Sequence, residues 1–100
     1  MDKYTFGNSR GAINLITTLQ RDENLQYISK VSTILAKFYQ TTRAIMFIPD
    51  VAVRQTVHQL WHQKFVDQIM RLGMPDVIKS HTRCVLATRY RQCFKWGKGG

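Results

Sequence analysis

The feature that most restricts the fold is a run of apolar side chains at helical spacing in the centre of the chain. Between positions 50 and 72 they recur every three or four residues, at Val53, Val57, Leu60, Trp61, Phe65, Ile69 and Leu72. This period is that of one face of an α-helix. Asp50 is a suitable N-cap, and Gly73 followed by Pro75 ends the pattern. The sequence therefore predicts a long amphipathic helix over about 50–72.

A second amphipathic pattern precedes this helix. Its apolar members are Leu25, Ile28, Leu35, Phe38, Tyr39 and Ile45. Their spacing predicts a helix over about 22–46, with Asp22 as its N-cap. Residues 11–20 also have helical periodicity and predict a short helix. Two long helices joined by a tight turn are expected to pack as an antiparallel or steeply crossed pair.

These patterns predict a mainly α fold class. It consists of two long amphipathic helices, about 22–46 and 50–72, with short helices and an irregular basic C-terminal arm. One of the short helices is expected to begin at Pro75-Asp76. Beyond Thr88 the residues suit an extended or irregular arm. A chain of 100 residues forms one structural domain with a modest core.

Positive charge is concentrated at the end of the chain. The protein has 15 Lys plus Arg against 6 Asp plus Glu, a formal net charge of +9. Residues 79–100 contain no acidic side chain, and their basic residues alternate with Tyr90, Phe94 and Trp96. This composition favours a polyanion partner, because aromatic rings stack on RNA bases and cations neutralise phosphates. A solubilising tail is the alternative, although such a tail gains little from aromatic residues.

The predicted RNA-binding residues follow from this concentration. They are Lys79, Arg83, Arg89, Tyr90, Arg91, Lys95, Trp96 and Lys98. In this interpretation residues 1–78 form a helical anchor and residues 79–100 an RNA-binding arm. Lys37, Arg43 and Arg54 are predicted as secondary RNA-facing residues, and ordinary solvation is the alternative interpretation of that cationic flank.

Metal, membrane and catalytic functions find little support in the sequence. His58 and His62 have the spacing of two zinc ligands on a helix, but Gln59 stands where an HExxH motif has Glu. A solvent-facing or phosphate-facing histidine pair is the commoner arrangement, so no metal and no cofactor are predicted. No apolar window approaches the roughly 18–20 residues that span a bilayer, so no membrane partner is predicted.

Catalysis requires groups that this sequence does not bring together. The acidic residues are scattered, and no glycine motif for a phosphate occurs. Cys84 has cationic neighbours, but a catalytic thiol also needs a pocket and an oxyanion site. We therefore expect neither an enzyme nor a small-molecule substrate.

Three blocks between Lys37 and Trp96 resemble a ribosomal protein family. The first is Ala36-Lys37-Phe38-Tyr39 with Arg43-Ala44-Ile45, and the second is Pro49-Asp50-Val51 with Arg54, Val57 and Leu60. The third begins with Arg83-Cys84 and continues with Arg89, Arg91 and Lys95. They are similar, in the same order, to the S-fourteen proteins of the small ribosomal subunit in bacteria and organelles. Ala87, Thr88 and Gln92 differ from that family's Thr, Gly and Gly.

The resemblance implies a structural constituent of the ribosome that binds small-subunit rRNA beside other ribosomal proteins of the subunit head. It also implies a mitochondrial type without a zinc ribbon, and hence location in the mitochondrial ribosome; otherwise a cytoplasmic location is expected. The alternative function is a small helical protein–protein interaction module, such as a viral or assembly accessory factor, which would use the stripe between Val53 and Leu72. The hypothesis of a DNA-binding helix pair has less support, because no helix with base-reading side chains stands out in the sequence.

Overall fold

The computed structural model describes the backbone of residues 10–99 and the side chains of residues 11–92. Within this part of the chain the regular structure is helical throughout. It consists of α1 (Arg10–Leu19), a 3-10 helix (Asp22–Tyr27), α2 (Ile28–Ile45), α3 (Val51–Arg71) and α4 (Asp76–Gly99). The prediction of a mainly α fold is confirmed.

The segment predicted as one helix over 22–46 is divided in two. Residues 22–27 form the 3-10 helix, and the α-helix begins only at Ile28. Asp22 is not the N-cap, because Arg21 occupies that position. The cause is tertiary: the buried Asn24 side chain donates a hydrogen bond from Nδ2 to the Thr18 carbonyl oxygen at 2.9 Å. This bond ties the 3-10 helix to the end of α1, which α-helical continuation from Asp22 would not provide.

The long helix α3 begins and ends within one residue of the prediction. Asp50 caps it, since its Oδ1 accepts a hydrogen bond from the Val53 amide at 3.1 Å. The helix ends when Leu72 adopts extended backbone angles (φ −74°, ψ 145°). Gly73 does not end the helix through a left-handed conformation, because no described glycine has a positive φ.

The buried face of α3 differs from the predicted apolar stripe. Val53 is 49% exposed and Leu60 is 66% exposed, so neither belongs to the core. Phe65 and Ile69 of the stripe are buried as predicted, and the third buried residue of α3 is His58, which was not part of the stripe. The apolar stripe is broad, so it is compatible with more than one orientation of the helix about its axis. Packing against α2 and α4 selects the orientation in which His58 is buried.

The C-terminal segment is a helix, so the expectation of an irregular arm beyond Thr88 is wrong. α4 continues to Gly99, and no proline or glycine interrupts residues 76–96. Its buried residues recur at helical spacing, and this apolar face requires the helical conformation in order to pack. They are Ile78, Thr82, Val85 and Leu86.

The core is built around α4, which packs against α1, α2 and α3. The predicted pairing of α2 with α3 is present as well. The predicted division of the chain after residue 78 therefore falls in the first turn of α4, and the helix beyond it supplies core residues. The core cluster comprises Ala12, Leu15, Leu19, Val31, Leu35, Phe38, Phe65, Ile69, Met74, Ile78, Val85 and Leu86.

The close approach of α1 to α4 gives a first prediction. A Cβ atom placed on Gly11 would lie 3.2 Å from Cys84 Cβ, whereas one on Gly73 would meet nothing within 4 Å. We expect Gly11→Val to lower the free energy of unfolding by about 1–3 kcal/mol, because overpacking forces the two helices apart. Gly73→Val is the matched control and should have little effect. Thermal denaturation followed by circular dichroism measures both, and equal shifts in Tm would contradict the prediction.

Candidate nucleic-acid interface

One side of α4 carries exposed arginines, and it lies opposite the side that forms the core. The side chains of Arg83 and Arg91 are exposed. Positions 83, 87, 91, 95 and 98 follow one another at intervals of four or three, so they share one helix face by register. We call the basic positions of this face the α4 basic face. They are Arg83, Arg91, Lys95 and Lys98; the last two belong to it by their position in the helix, and their side chains lie outside the described residues.

The α4 basic face is long and has no acidic position. After Asp76 in the first turn, α4 contains no Asp or Glu. At 1.5 Å rise per residue, the face extends about 22 Å from position 83 to position 98. Arg83 projects from the part of α4 whose opposite side is buried in the core, whereas Arg91 lies one to two turns beyond Leu86, the last buried residue described in α4. A cationic surface of this kind attracts phosphate groups without selecting a base sequence.

Arg89 and Tyr90 are placed differently from the other predicted RNA-binding residues. The Arg89 guanidinium lies over the Tyr39 ring, with Cζ 5.0 Å from the ring centroid. The Tyr90 ring stacks on His62 at 4.6 Å with an interplanar angle of 23°. Burial raises the pKa of the Tyr90 hydroxyl above its ordinary value. The structure thus divides the Arg-rich motif between an outer and an inner side of α4.

The remaining predicted residues occupy three further settings. Lys79 donates a hydrogen bond from Nζ to the Met70 carbonyl oxygen at 3.2 Å, so it helps to satisfy the end of α3. Arg54 donates from Nη1 to the Ile48 carbonyl oxygen at 3.2 Å in the turn before α3. Lys37 and Arg43 are exposed on α2, but because they are six positions apart their side chains point about 120° away from each other around the helix axis. The position of Trp96 lies in α4, and its side chain is outside the described residues.

A partly buried cluster of aromatic and histidine side chains between α2, α3 and α4 was not predicted from the sequence. His58 is 2% exposed, and its ring lies 4.8 Å from that of Tyr90. The expectation of a solvent-facing or phosphate-facing histidine pair is therefore wrong for His58, while His62 is partly exposed. The signal was present in the sequence, because positions 58 and 62 lie one turn before Trp61 and Phe65 on the inward side of the same helix.

The described residues show neither a metal-ligand cluster nor a membrane span. No three His, Cys, Asp or Glu side chains among them come close enough together to hold a metal ion. No helix in the part of the chain that the structure describes is long and apolar enough to cross a bilayer. Comparison with protein-family models, curated proteins and solved structures finds no match to this chain.

Proposed function

We propose that this protein binds structured RNA through the α4 basic face and serves as a structural component of a ribonucleoprotein. The observation that carries the proposal is the arrangement of α4: Arg83 and Arg91 are exposed, while Thr82, Val85 and Leu86 on the other side are buried. The helix is therefore both part of the core and the carrier of the cationic surface.

The chemistry of this surface favours phosphate recognition. A guanidinium group presents a planar fork of donors that matches two phosphate oxygens, and it remains charged at all physiological pH values. Two such groups eight positions apart lie about 12 Å from each other along the helix axis. Phosphate contacts of this kind fix the position and orientation of an RNA rather than read its sequence. The function is accordingly structural, with no catalytic step and no cofactor.

More specifically, we propose that the RNA partner is small-subunit rRNA. The protein would then lie in a mitochondrial ribosome or otherwise in the cytoplasm. It is supported by the S-fourteen-like blocks, and by the fact that Arg83 and Arg91 of the third block are exposed on α4. Arg89 of the same block contacts Tyr39 and is proposed to position the helix rather than the RNA. Under this proposal the protein neighbours are ribosomal proteins of the subunit head.

RNA affinity as a function of salt tests the proposal. For Arg83→Ala/Arg91→Ala we expect weaker binding and a log–log salt slope that is flatter by about 1.4–1.8, since each lost phosphate contact contributes about 0.7–0.9. The control variant is Arg21→Ala/Lys30→Ala, which removes the same charge from exposed residues outside α4. This control variant should retain most of the wild-type salt slope. Identical slopes for wild type and both variants would exclude the α4 basic face as the binding surface.

A protein–protein module is the second candidate, and the exposed apolar side chains favour it. Phe47 is 85% exposed, Leu60 is 66% exposed and Met70 is 50% exposed. Sedimentation of the isolated chain separates the two functions. A stable dimer free of RNA would favour the module, whereas co-migration with a ribosomal subunit on a high-salt sucrose gradient would support the ribosomal form.

A further inference from the structure

The two halves of α4 make different contacts, although both reach α3. The first half approaches α1 so closely that a Cβ on Gly11 would stand 3.2 Å from Cys84 Cβ, and it buries Val85 and Leu86. The second half, from Arg89 onward, contacts α2 and α3 through Arg89 and Tyr90. Loss of the second set of contacts would therefore leave the first set in place.

The second set forms what we call the histidine–tyrosine cluster. Its members are Tyr39, His58, His62, Arg89 and Tyr90. Tyr90 lies against both histidines, stacked on His62 and tilted against His58 at 4.8 Å. Phe38 completes the packing with its ring edge-on to His62 at 6.2 Å. Two imidazoles in successive turns of α3 thus provide the surface on which Tyr90 rests.

The electrostatic surroundings of the cluster oppose protonation. Burial lowers the pKa of His58 below its ordinary value of 6.5, and the neighbouring His62 and Arg89 lower it further; backbone hydrogen bonds at His58 and Tyr90 act in the opposite direction without reversing the shift. Burial also lowers the pKa of His62. His62 Nε2 is buried and has no hydrogen-bond partner among the described residues, so a proton on this atom would meet no acceptor.

The charged and titratable groups around the histidines come from three helices. α2 contributes Tyr39, and α4 contributes Arg89 and Tyr90. On α3, Arg54 lies one turn before His58, and its Nη1 bonds to the Ile48 carbonyl oxygen. No carboxylate contributes to the shift at His58. A protonated imidazole would therefore join a guanidinium without a counter-ion among these groups.

We propose that the histidine–tyrosine cluster is a pH-sensitive contact that holds the second half of α4 against α2 and α3 at neutral pH and releases it on acidification. The sign follows from linkage. A histidine with a depressed pKa in the docked state binds a proton more readily when the helix is detached. Docking is therefore favoured above the ordinary value of 6.5 and is lost as the pH falls from that value through the lowered pKa. The released half includes Arg91 of the α4 basic face, but the inference concerns the docking of the helix, and its test uses no RNA.

Amide hydrogen exchange of the whole chain, followed by NMR between about pH 7.5 and pH 4.5, tests the inference. After correction for intrinsic exchange rates, we expect protection of residues 89–92 to fall by about tenfold or more on acidification. Protection of residues 82–86 should fall much less. His62→Phe keeps a flat ring beneath Tyr90 without a titrating group, and in His58→Leu/His62→Phe the acid-induced loss should disappear. His81→Gln is the control, because it removes the histidine of α4 that lies outside the cluster.

The wild-type measurement alone decides the matter if the double variant does not fold. Unchanged protection of residues 89–92 across the pH range would overturn the inference, and so would equal loss throughout α4. A loss that persists unchanged in a folded His58→Leu/His62→Phe variant would also overturn it, because carboxylates elsewhere would then be responsible.

Discussion

A chain that ends after Ile78 is expected to lose cooperative folding. Such a chain lacks Thr82, Val85 and Leu86, which are at most 1% exposed in the intact protein. Removing a buried aliphatic side chain costs about 2–5 kcal/mol, and a small domain has a total stability of only about 5–15 kcal/mol. The deletion also uncovers the faces of α1 and α3 that pack against α4. Urea denaturation followed by circular dichroism should show a broad transition without a folded baseline.

The matched control for this deletion is a chain that ends after Gln92. It retains every buried side chain that the structure describes in α4, and it should keep a sigmoidal urea transition. If the chain ending after Ile78 unfolds as cooperatively as the control, residues 1–78 are an independent anchor. The dependence of the fold on α4 would then be contradicted.

A large loss of stability is also expected for the substitution Phe38→Ala. Phe38 is fully buried, and its ring contacts Phe65 at a centroid distance of 5.3 Å in an edge-on arrangement. The substitution removes this contact and leaves a cavity between α2 and α3, so we expect the free energy of unfolding to fall by about 3–5 kcal/mol. Equilibrium denaturation measures the change.

Phe47→Ala provides the comparison, since it makes the same chemical change at a site that is 85% exposed. Its effect on stability should stay within about 0.5 kcal/mol. Similar losses for the two substitutions would mean that Phe38 does not occupy the core position assigned to it.

Local signals in the sequence were sufficient for the helices whose ends depend on neighbouring residues. The start of α3 could be predicted because the Asp50 side chain caps the helix by accepting a hydrogen bond from the Val53 amide, only three residues later. α1 could be predicted from Leu15 and Leu19, which are buried one turn apart. The boundary at Ile28 could not, because it depends on the hydrogen bond between Asn24 and Thr18 across the end of another helix.

The basic C-terminal segment shows the opposite case. Composition predicts the positive charge of this segment correctly. It does not predict the helical conformation, because the apolar positions of α4 are interspersed with cations. Val85 and Leu86 become core residues only where α1 and α3 lie against them. The same packing turns Arg89 and Tyr90 toward α2 and α3 while Arg83 remains exposed.

The sequence by itself determined that this chain is mainly helical, where α1 and α3 lie, and that a surplus of positive charge is carried near its end. These properties depend on periodicity, capping and composition, which act over a few residues. The tertiary structure decided which arc of each helix is buried: His58 inward, Leu60 outward, and the Arg-rich motif divided between two sides of α4. A helical period allows several rotations about the axis, and only contacts between residues distant in the chain select one of them.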